Sequence, residues 1–128
     1  MDTFQNIEQH LKALLTERMT VVDEPVYLWD DVSFPAGNTA YAVIDTRFVN
    51  KLSIVCSNFD STPWHIVIRG SNTIDCELPV DIATLELDAG NISKGHITTE
   101  LYPFTIIAVT NLNNENAGIV TVSYVTTR

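Results

Sequence analysis

The hydrophobic positions of this chain change their period near residue 20. Residues 3–18 carry apolar side chains three and four positions apart, the spacing of an amphipathic helix, at Phe4, Ile7, Leu11, Leu14 and Leu15. From residue 21 to residue 127, short runs of alternating apolar and polar residues are separated by Gly, Asn, Asp and Pro, as in β-strands joined by turns. The pattern therefore predicts a helical arm over residues 1–19 and an all-β domain over residues 20–128.

The alternation divides the β part into short strands, each with one core face. Trp64, Ile66 and Ile68 share one face of their predicted strand, so Trp64 is expected in the core. The predicted strands lie near residues 21–29, 39–46, 51–57, 64–70, 75–79, 83–88, 96–101, 104–111 and 118–126, and the pattern leaves open whether 75–88 is one strand or two. Strands of this length and spacing predict a two-sheet antiparallel β-sandwich, either jelly-roll or immunoglobulin-like.

One internal echo supports this fold. Residues 52–60 (LSIVCSNFD) and 104–113 (FTIIAVTNLN) both read as an apolar strand followed by Asn, a large apolar residue, and Asp or Asn. A turn and a second strand follow each segment. The echo predicts two similar hairpins, although any antiparallel hairpin produces such a pattern.

The predicted helix has its own start signals. Asp2 can cap it, Gln5 completes a capping box, and Glu8 precedes Lys12 by one turn. A helix this short is marginal in water by itself, so its apolar face must be buried. It packs either on its own sandwich or on a neighbouring subunit, and in the second case it is an assembly element.

Composition and charge narrow the partners. The chain has 128 residues, 45% of them hydrophobic, which is enough for one domain with a real core. Seven Lys and Arg against sixteen Asp and Glu give a net charge of −9, and the cations are scattered, so a nucleic-acid-binding face is not expected. The apolar runs are too short for a membrane helix, and residues 1–19 lack the pattern of a signal peptide. We expect synthesis in the cytoplasm.

The sequence carries no catalytic or metal motif. Residues 69–72 (RGSN) lack the second glycine of a nucleophile elbow and read as a turn. The acidic pairs at 23–24 and 30–31 lack the spacing of an EF-hand and are expected at solvated strand ends and turns. His10, His65 and His96 have no metal-ligand spacing and read as surface histidines. No enzymatic activity, metal or cofactor is therefore expected.

The two cysteines are expected to be reduced. Cys56 shares a strand face with Leu52 and Ile54, and Cys76 precedes Leu78, so both read as small core-facing residues. A cytoplasmic protein keeps such thiols free.

A resemblance to a known class of proteins is carried by three segments. They are FPAGNTAYAVIDT, LSIVCSNFDSTPWHIVIRGSN and LYPFTIIAVTNLNNENAGIVTVSYV, within residues 33–126. In pattern they resemble small β-sandwich structural proteins of tailed bacteriophages, of the kind that decorate capsids or attach tails and fibres. The resemblance implies a non-enzymatic virion component, bound in multiple copies to itself and to other particle proteins. It defines no functional residue.

The five apolar residues of the helical arm are the interface residues that this interpretation predicts. A rival hypothesis is a carbohydrate-binding or adhesive module. Trp29, Tyr41, Trp64 and Tyr102 could supply stacking surfaces for a sugar, and Trp29, beside Asp30 and Asp31, is the best placed of the four. A non-viral bacterial interaction domain is a third alternative.

Overall fold

The structure is a computed structural model that describes residues 23–58, 60–90 and 92–128. The predicted helical arm and its five apolar residues lie outside these ranges. Eight strands form the described part: β1 (Val26–Phe34), β2 (Thr39–Asp45), β3 (Lys51–Asn58), β4 (Trp64–Ser71), β5 (Val80–Leu87), β6 (Ile92–Thr98), β7 (Phe104–Asn111) and β8 (Gly118–Thr127). The described ranges contain no helix with the length and apolarity of a membrane span.

The strands form two four-stranded antiparallel sheets, in the orders β1-β8-β3-β6 and β2-β7-β4-β5. Four of the pairings are those of one long hairpin that turns between β4 and β5. They are β1 with β8, β2 with β7, β3 with β6 and β4 with β5. Rolling that hairpin into two layers adds the pairings of β3 with β8 and of β4 with β7. This is the jelly-roll arrangement, one of the two sandwich types that the alternation predicts.

The core lies between the two sheets and is filled by their inward-facing side chains. Trp64 is fully buried, as its alternation predicts, and Phe34 meets its ring edge-on at 5.4 Å. The other core residues are aliphatic side chains from both sheets and one cysteine: Ile44, Leu52, Ile54, Cys56, Ile66, Ile68, Leu87, Ile107, Val109, Val120 and Val122.

The structure corrects one prediction about connectivity and decides a strand count that the pattern leaves open. The echoed segments are not hairpins, because β3 and β4 lie in different sheets, as do β7 and β8. Each segment instead starts an arch that crosses from one sheet to the other. Residues 75–88 hold a single strand, β5, while residues 75–79 belong to a loop.

The connections gather at two opposite ends of the sandwich. We call one the asparagine end; it comprises the described loop residues 35–38, 60–63, 88–90 and 112–117. We call the other the apolar end; it comprises loops 46–50, 72–79 and 99–103. The start of β1 also lies at the apolar end, where the N–H of Asp23 donates to the carbonyl of Thr126 at 2.9 Å.

Candidate functional site: the apolar end

The first loop of the apolar end is held by Thr46. Its buried hydroxyl donates to the carbonyl of Tyr102 at 2.6 Å, and its N–H donates to the carbonyl of Pro103 at 3.0 Å. The N–H of Val49 donates back to the carbonyl of Thr46 at 3.3 Å and closes a turn. Phe48 occupies this turn with a φ of +65° and a side chain that is 91% exposed.

The second loop, between β4 and β5, is tied by its own side chains. The Ser71 hydroxyl donates to the carbonyl of Glu77 at 3.0 Å, and the N–H of Glu77 donates to the Thr73 hydroxyl at 3.1 Å. The loop nevertheless presents Ile74 and Leu78 at 70% and 93% exposure, and Leu78 has a φ of +48°. The expectation of a turn at residues 69–72 is wrong for the first three, since β4 continues to Ser71. The Ser71 hydroxyl ties the loop that follows the strand.

The third loop joins the other two. Tyr102, whose carbonyl accepts the bond from Thr46, lays its ring against Gly70 at the end of β4, where an added Cβ would overlap the ring. Because β7 alone separates β2 from β4, the first two loops start about 10 Å apart. The exposed apolar residues of the first two loops therefore lie at one end of the molecule, on neighbouring loops. They are Phe48, Ile74 and Leu78.

A charged pair borders this end. Asp45 accepts hydrogen bonds from the Arg47 guanidinium at 2.7 and 3.0 Å and from the Arg47 N–H at 3.1 Å. The side-chain and backbone hydrogen bonds from Arg47 lower the pKa of the Asp45 carboxyl to about 2. The guanidinium carbon also lies 5.4 Å from the centre of the Phe104 ring, in the range of a cation–π contact. The Asp45–Arg47 pair thus links the end of β2 to the start of the first loop.

Large apolar side chains exposed in loops are suited to contact with another molecule, and two of these three, Phe48 and Leu78, are held in left-handed backbone. A left-handed φ costs a non-glycine residue roughly 1–2 kcal/mol, and such strain concentrates at binding sites. When a partner covers water-exposed apolar side chains, the free energy of the bound state falls. Phe48, Ile74 and Leu78 are not among the functional residues predicted from the sequence. The available signal was a large apolar residue inside each polar turn segment, TRFVN and SNTIDCELP.

The structure places Trp29 half-buried on β1, with its ring 5.7 Å from Phe34 and edge-on to it. Trp64 is fully buried, whereas Tyr41 lies exposed on β2. The four aromatic residues considered for sugar stacking are thus not brought onto one surface. A glycan contact at Trp29 stays a prediction.

The cysteines differ from each other. Cys56 is fully buried on β3, and burial raises the pKa of its thiol to about 12. Cys76 lies in the loop between β4 and β5, half-buried and with a φ of +57°. The expectation of a core-facing residue is therefore confirmed for Cys56 and wrong for Cys76, since residues 72–79 are a loop. Both thiols are free.

The acidic and histidine residues form no metal cluster within the described ranges. Asp30 and Asp31 lie inside β1 rather than at a strand end, because β1 continues to Phe34. The N–H of Asp31 donates to the Thr121 hydroxyl at 2.9 Å, which steadies an irregular stretch of the strand. His65 lies on the outer face of its sheet, 3.5 Å from the Glu86 carboxylate.

No protein family and no curated protein sequence matches the chain. Solved structures share its fold. The PBSX exported protein XepA superposes with a TM-score of 0.65 at 11% identity over 81% of this chain, which spans 36% of XepA. A pilus protein of Bacillus endospore appendages, which form disulfide-linked pili, gives a TM-score of 0.53 at 14% identity over 85% of this chain and 88% of its own.

The Yersinia pseudotuberculosis-derived mitogen gives a TM-score of 0.54 at 10% identity, covering 84% of this chain and 86% of its own. Identities this low establish the β-sandwich fold and nothing narrower.

Proposed function

We propose that this protein is a non-enzymatic structural component of a virion, present in multiple copies and docked to other particle proteins through the apolar end. The observation that carries the proposal is the exposure of Phe48, Ile74 and Leu78 on two tied loops, with Phe48 and Leu78 held in left-handed backbone. Covering each of these side chains would contribute about 1.5–3 kcal/mol before the costs of association. Many copies would add avidity.

The fold supports a role in a particle without specifying it. XepA belongs to phage PBSX, and the endospore appendage protein assembles into pili. Capsid decoration and attachment to a tail are both compatible with a compact sandwich that presents one apolar end. The net charge of −9 disfavours nucleic acid and anionic lipid as partners, so the proposed partners are proteins, including further copies of this chain.

The test compares incorporation into particles. The triple variant Phe48→Ser, Ile74→Ser, Leu78→Ser removes the exposed apolar tips and leaves the core unchanged. The matched control is Leu112→Ser, which changes an exposed leucine in a loop of the opposite end. Purified particles from cells producing each variant are assayed for copy number by quantitative mass spectrometry, with thermal unfolding of the free proteins as the folding check.

We expect the triple variant to remain folded and to lose at least roughly tenfold in incorporation, a change of 1.4 kcal/mol or more, while Leu112→Ser incorporates like the parent protein. Equal incorporation of the triple variant and the parent would contradict the docking role. Absence of the parent protein from particles would contradict the virion assignment. Binding of the parent protein to lipid vesicles, lost in the triple variant, would reassign the surface to a membrane.

A further inference from the structure

Four strands form the edges of the two sheets, and three of them are guarded against pairing with another chain. β1 loses its register twice, once at Leu28 and once across Asp30 and Asp31. β5 has an irregularity at Ile82 and faces β6 across the sandwich. β6 carries Lys94 and Gly95 in its middle. Bulges, lysines and covered edges are the means by which sheet proteins avoid edge-to-edge association.

β2 has none of these features. Its seven residues, TAYAVID, pair with β7 in an unbroken register and include no Gly, Pro or Lys. Its one charge is Asp45, the last residue of the strand. Tyr41 and Val43 are 66% and 48% exposed on its outer face. A regular edge strand whose one charge is at its end is a template for strand addition.

The hydrogen bonds at the two ends of the β2–β7 ladder show which backbone groups are free. The N–H of Thr46 donates to Pro103, and the N–H of Asn111 donates to the carbonyl of Asn38 at 2.9 Å. In an antiparallel ladder these bonds occur at every second residue. Residues 40, 42 and 44 therefore point their backbone groups toward β7, and residues 39, 41, 43 and 45 point theirs to the open edge. Within the described ranges no strand pairs with that edge.

We propose that β2 is a homodimer interface, at which β2 of a second copy adds antiparallel about a two-fold axis. In the register that overlaps all seven residues, Tyr41 lies opposite Val43 of the second copy and Thr39 lies opposite Asp45. The axis passes through Ala42, whose small side chain allows close approach. Each outward-pointing pair exchanges two backbone bonds, up to about eight in all.

The strand is complementary to itself, which is why a second copy is the occupant. Aromatic and β-branched side chains placed opposite each other stabilise antiparallel pairs, and the symmetry produces the Tyr41–Val43 contact twice. The only charges, the two copies of Asp45, fall at opposite ends of the interface and not against each other. Two acidic subunits can therefore meet here without a like-charge pair, and the two-fold closes the assembly at a dimer.

The dimer would give a continuous eight-stranded sheet with the two apolar ends pointing in opposite directions. Such a dimer could bridge two partners, a consequence that rests on the proposed function. The pairing itself does not, because it involves no residue of the apolar end.

Proline substitution distinguishes the two sides of the strand. Val43→Pro removes an N–H that points to the open edge and costs no bond to β7, and proline is tolerated on edge strands in that orientation. Ala42→Pro removes an N–H directed at β7 and is the matched control that should destabilise the fold. Val43→Lys blocks the edge by charge and keeps the backbone intact. Native mass and sedimentation equilibrium of the full chain measure the dimer.

We expect the parent protein to be a dimer, and both Val43 variants to dimerise at least roughly tenfold more weakly while giving the same circular dichroism spectrum. The amides of Tyr41 and Val43 should be protected from hydrogen exchange in the dimer and lose protection on dilution. Phe48→Ser should leave the dimer intact even if it abolishes docking. A monomeric parent protein, a dimer unaffected by both Val43 variants, or protection of these amides independent of concentration would each overturn the proposal.

Discussion

The two ends of the sandwich use opposite means to organise their loops. At the asparagine end, buried amide side chains tie the loops to one another. Asn111, fully buried, donates to the carbonyls of Phe34, Pro35 and Asn116 at 3.1–3.3 Å. At the apolar end, the tying groups sit at the base of each loop, and the tips carry Phe48, Ile74 and Leu78 into water.

The asparagine end also explains the echo in the sequence. Asn58 and Asn111 end β3 and β7, and each side-chain oxygen accepts the N–H two residues on, from Asp60 at 3.2 Å and from Asn113 at 2.8 Å. The Asn58 amide donates to Thr62 and Asp88 carbonyls at 2.6 and 3.0 Å. Each asparagine thus shapes an arch between the sheets and donates hydrogen bonds to backbone carbonyls of the neighbouring loops.

The two ends contribute differently to the stability of the fold. The asparagine end buries its polar groups with their hydrogen bonds made. The apolar end keeps left-handed residues and exposed apolar side chains, which lower stability and solubility in the isolated protein. We therefore expect substitutions at the asparagine end to lower stability, and substitutions at the apolar tips to raise it or leave it unchanged.

The largest effect is expected for Asn111→Ala. The change removes the side-chain donor to three carbonyls, of which that of Pro35 still accepts the N–H of Asn38 at 3.2 Å, and it removes the acceptor of the Asn113 N–H. Each group left unpaired where water cannot reach it costs about 1–3 kcal/mol. We expect a loss of about 3 kcal/mol or more in the free energy of unfolding, measured by urea denaturation. Asn114→Ala, an exposed change in the same loop, is the control and should lie within about 0.5 kcal/mol of the parent. Equal stability of the two variants would remove the distinction between the ends.

A smaller loss is expected for Gly118→Ala at the same end. An added Cβ would lie 2.5–2.6 Å from atoms of the buried Thr62 side chain, and overpacking of this kind costs about 1–3 kcal/mol. Thermal unfolding should show the melting temperature falling by several degrees. Thr62→Gly in the same chain should recover part of the loss relative to the sum of the single changes. Strict additivity of the two changes would show that the contact is not the cause.

Phe48→Gly at the apolar end should act in the opposite direction. Glycine relieves a left-handed strain of roughly 1–2 kcal/mol and costs roughly 0.5–1 kcal/mol in chain entropy, while little buried contact is lost at 91% exposure. We expect a gain of about 0.5–1 kcal/mol in urea unfolding, together with loss of docking. Phe48→Ala keeps the strain and serves as the control. A destabilised Phe48→Gly variant would mean that the exposed ring supports the fold.

The smallest effect concerns Asp45. Its folded pKa of about 2 lies below the ordinary aspartate value of 3.8, so the stabilisation that it contributes is complete above about pH 4 and is lost as the pH falls toward 2. Titration followed by carboxyl NMR chemical shifts should show Asp45 protonating near pH 2 in the parent protein. In Arg47→Ala the pKa should rise to the ordinary aspartate range, with little change in stability at neutral pH because the pair is exposed. An unchanged pKa in that variant would assign the shift to another group.

The sequence by itself determined the class of fold and most of the strands. Period-two alternation placed six strands within a few residues, and it placed Trp64 in the core, because a side chain's face follows from its position along a strand. Turn residues marked the loops for a similar local reason. β1 begins at Val26, later than predicted. The residue before it, Pro25, lacks the backbone N–H that a strand residue can donate.

Only the tertiary structure decided how the strands connect and which loops meet. A strand followed by an asparagine turn reads the same whether the next strand pairs beside it or crosses to the other sheet, so the echo was interpreted as hairpins and proved to be arches. Phe48, Ile74 and Leu78 are separated along the chain and become neighbours because β7 brings β2 and β4 to one end. The free edge of β2 likewise follows from the order of the sheet. Contacts between residues distant in sequence depend on the packing of both sheets, and no local pattern encodes that.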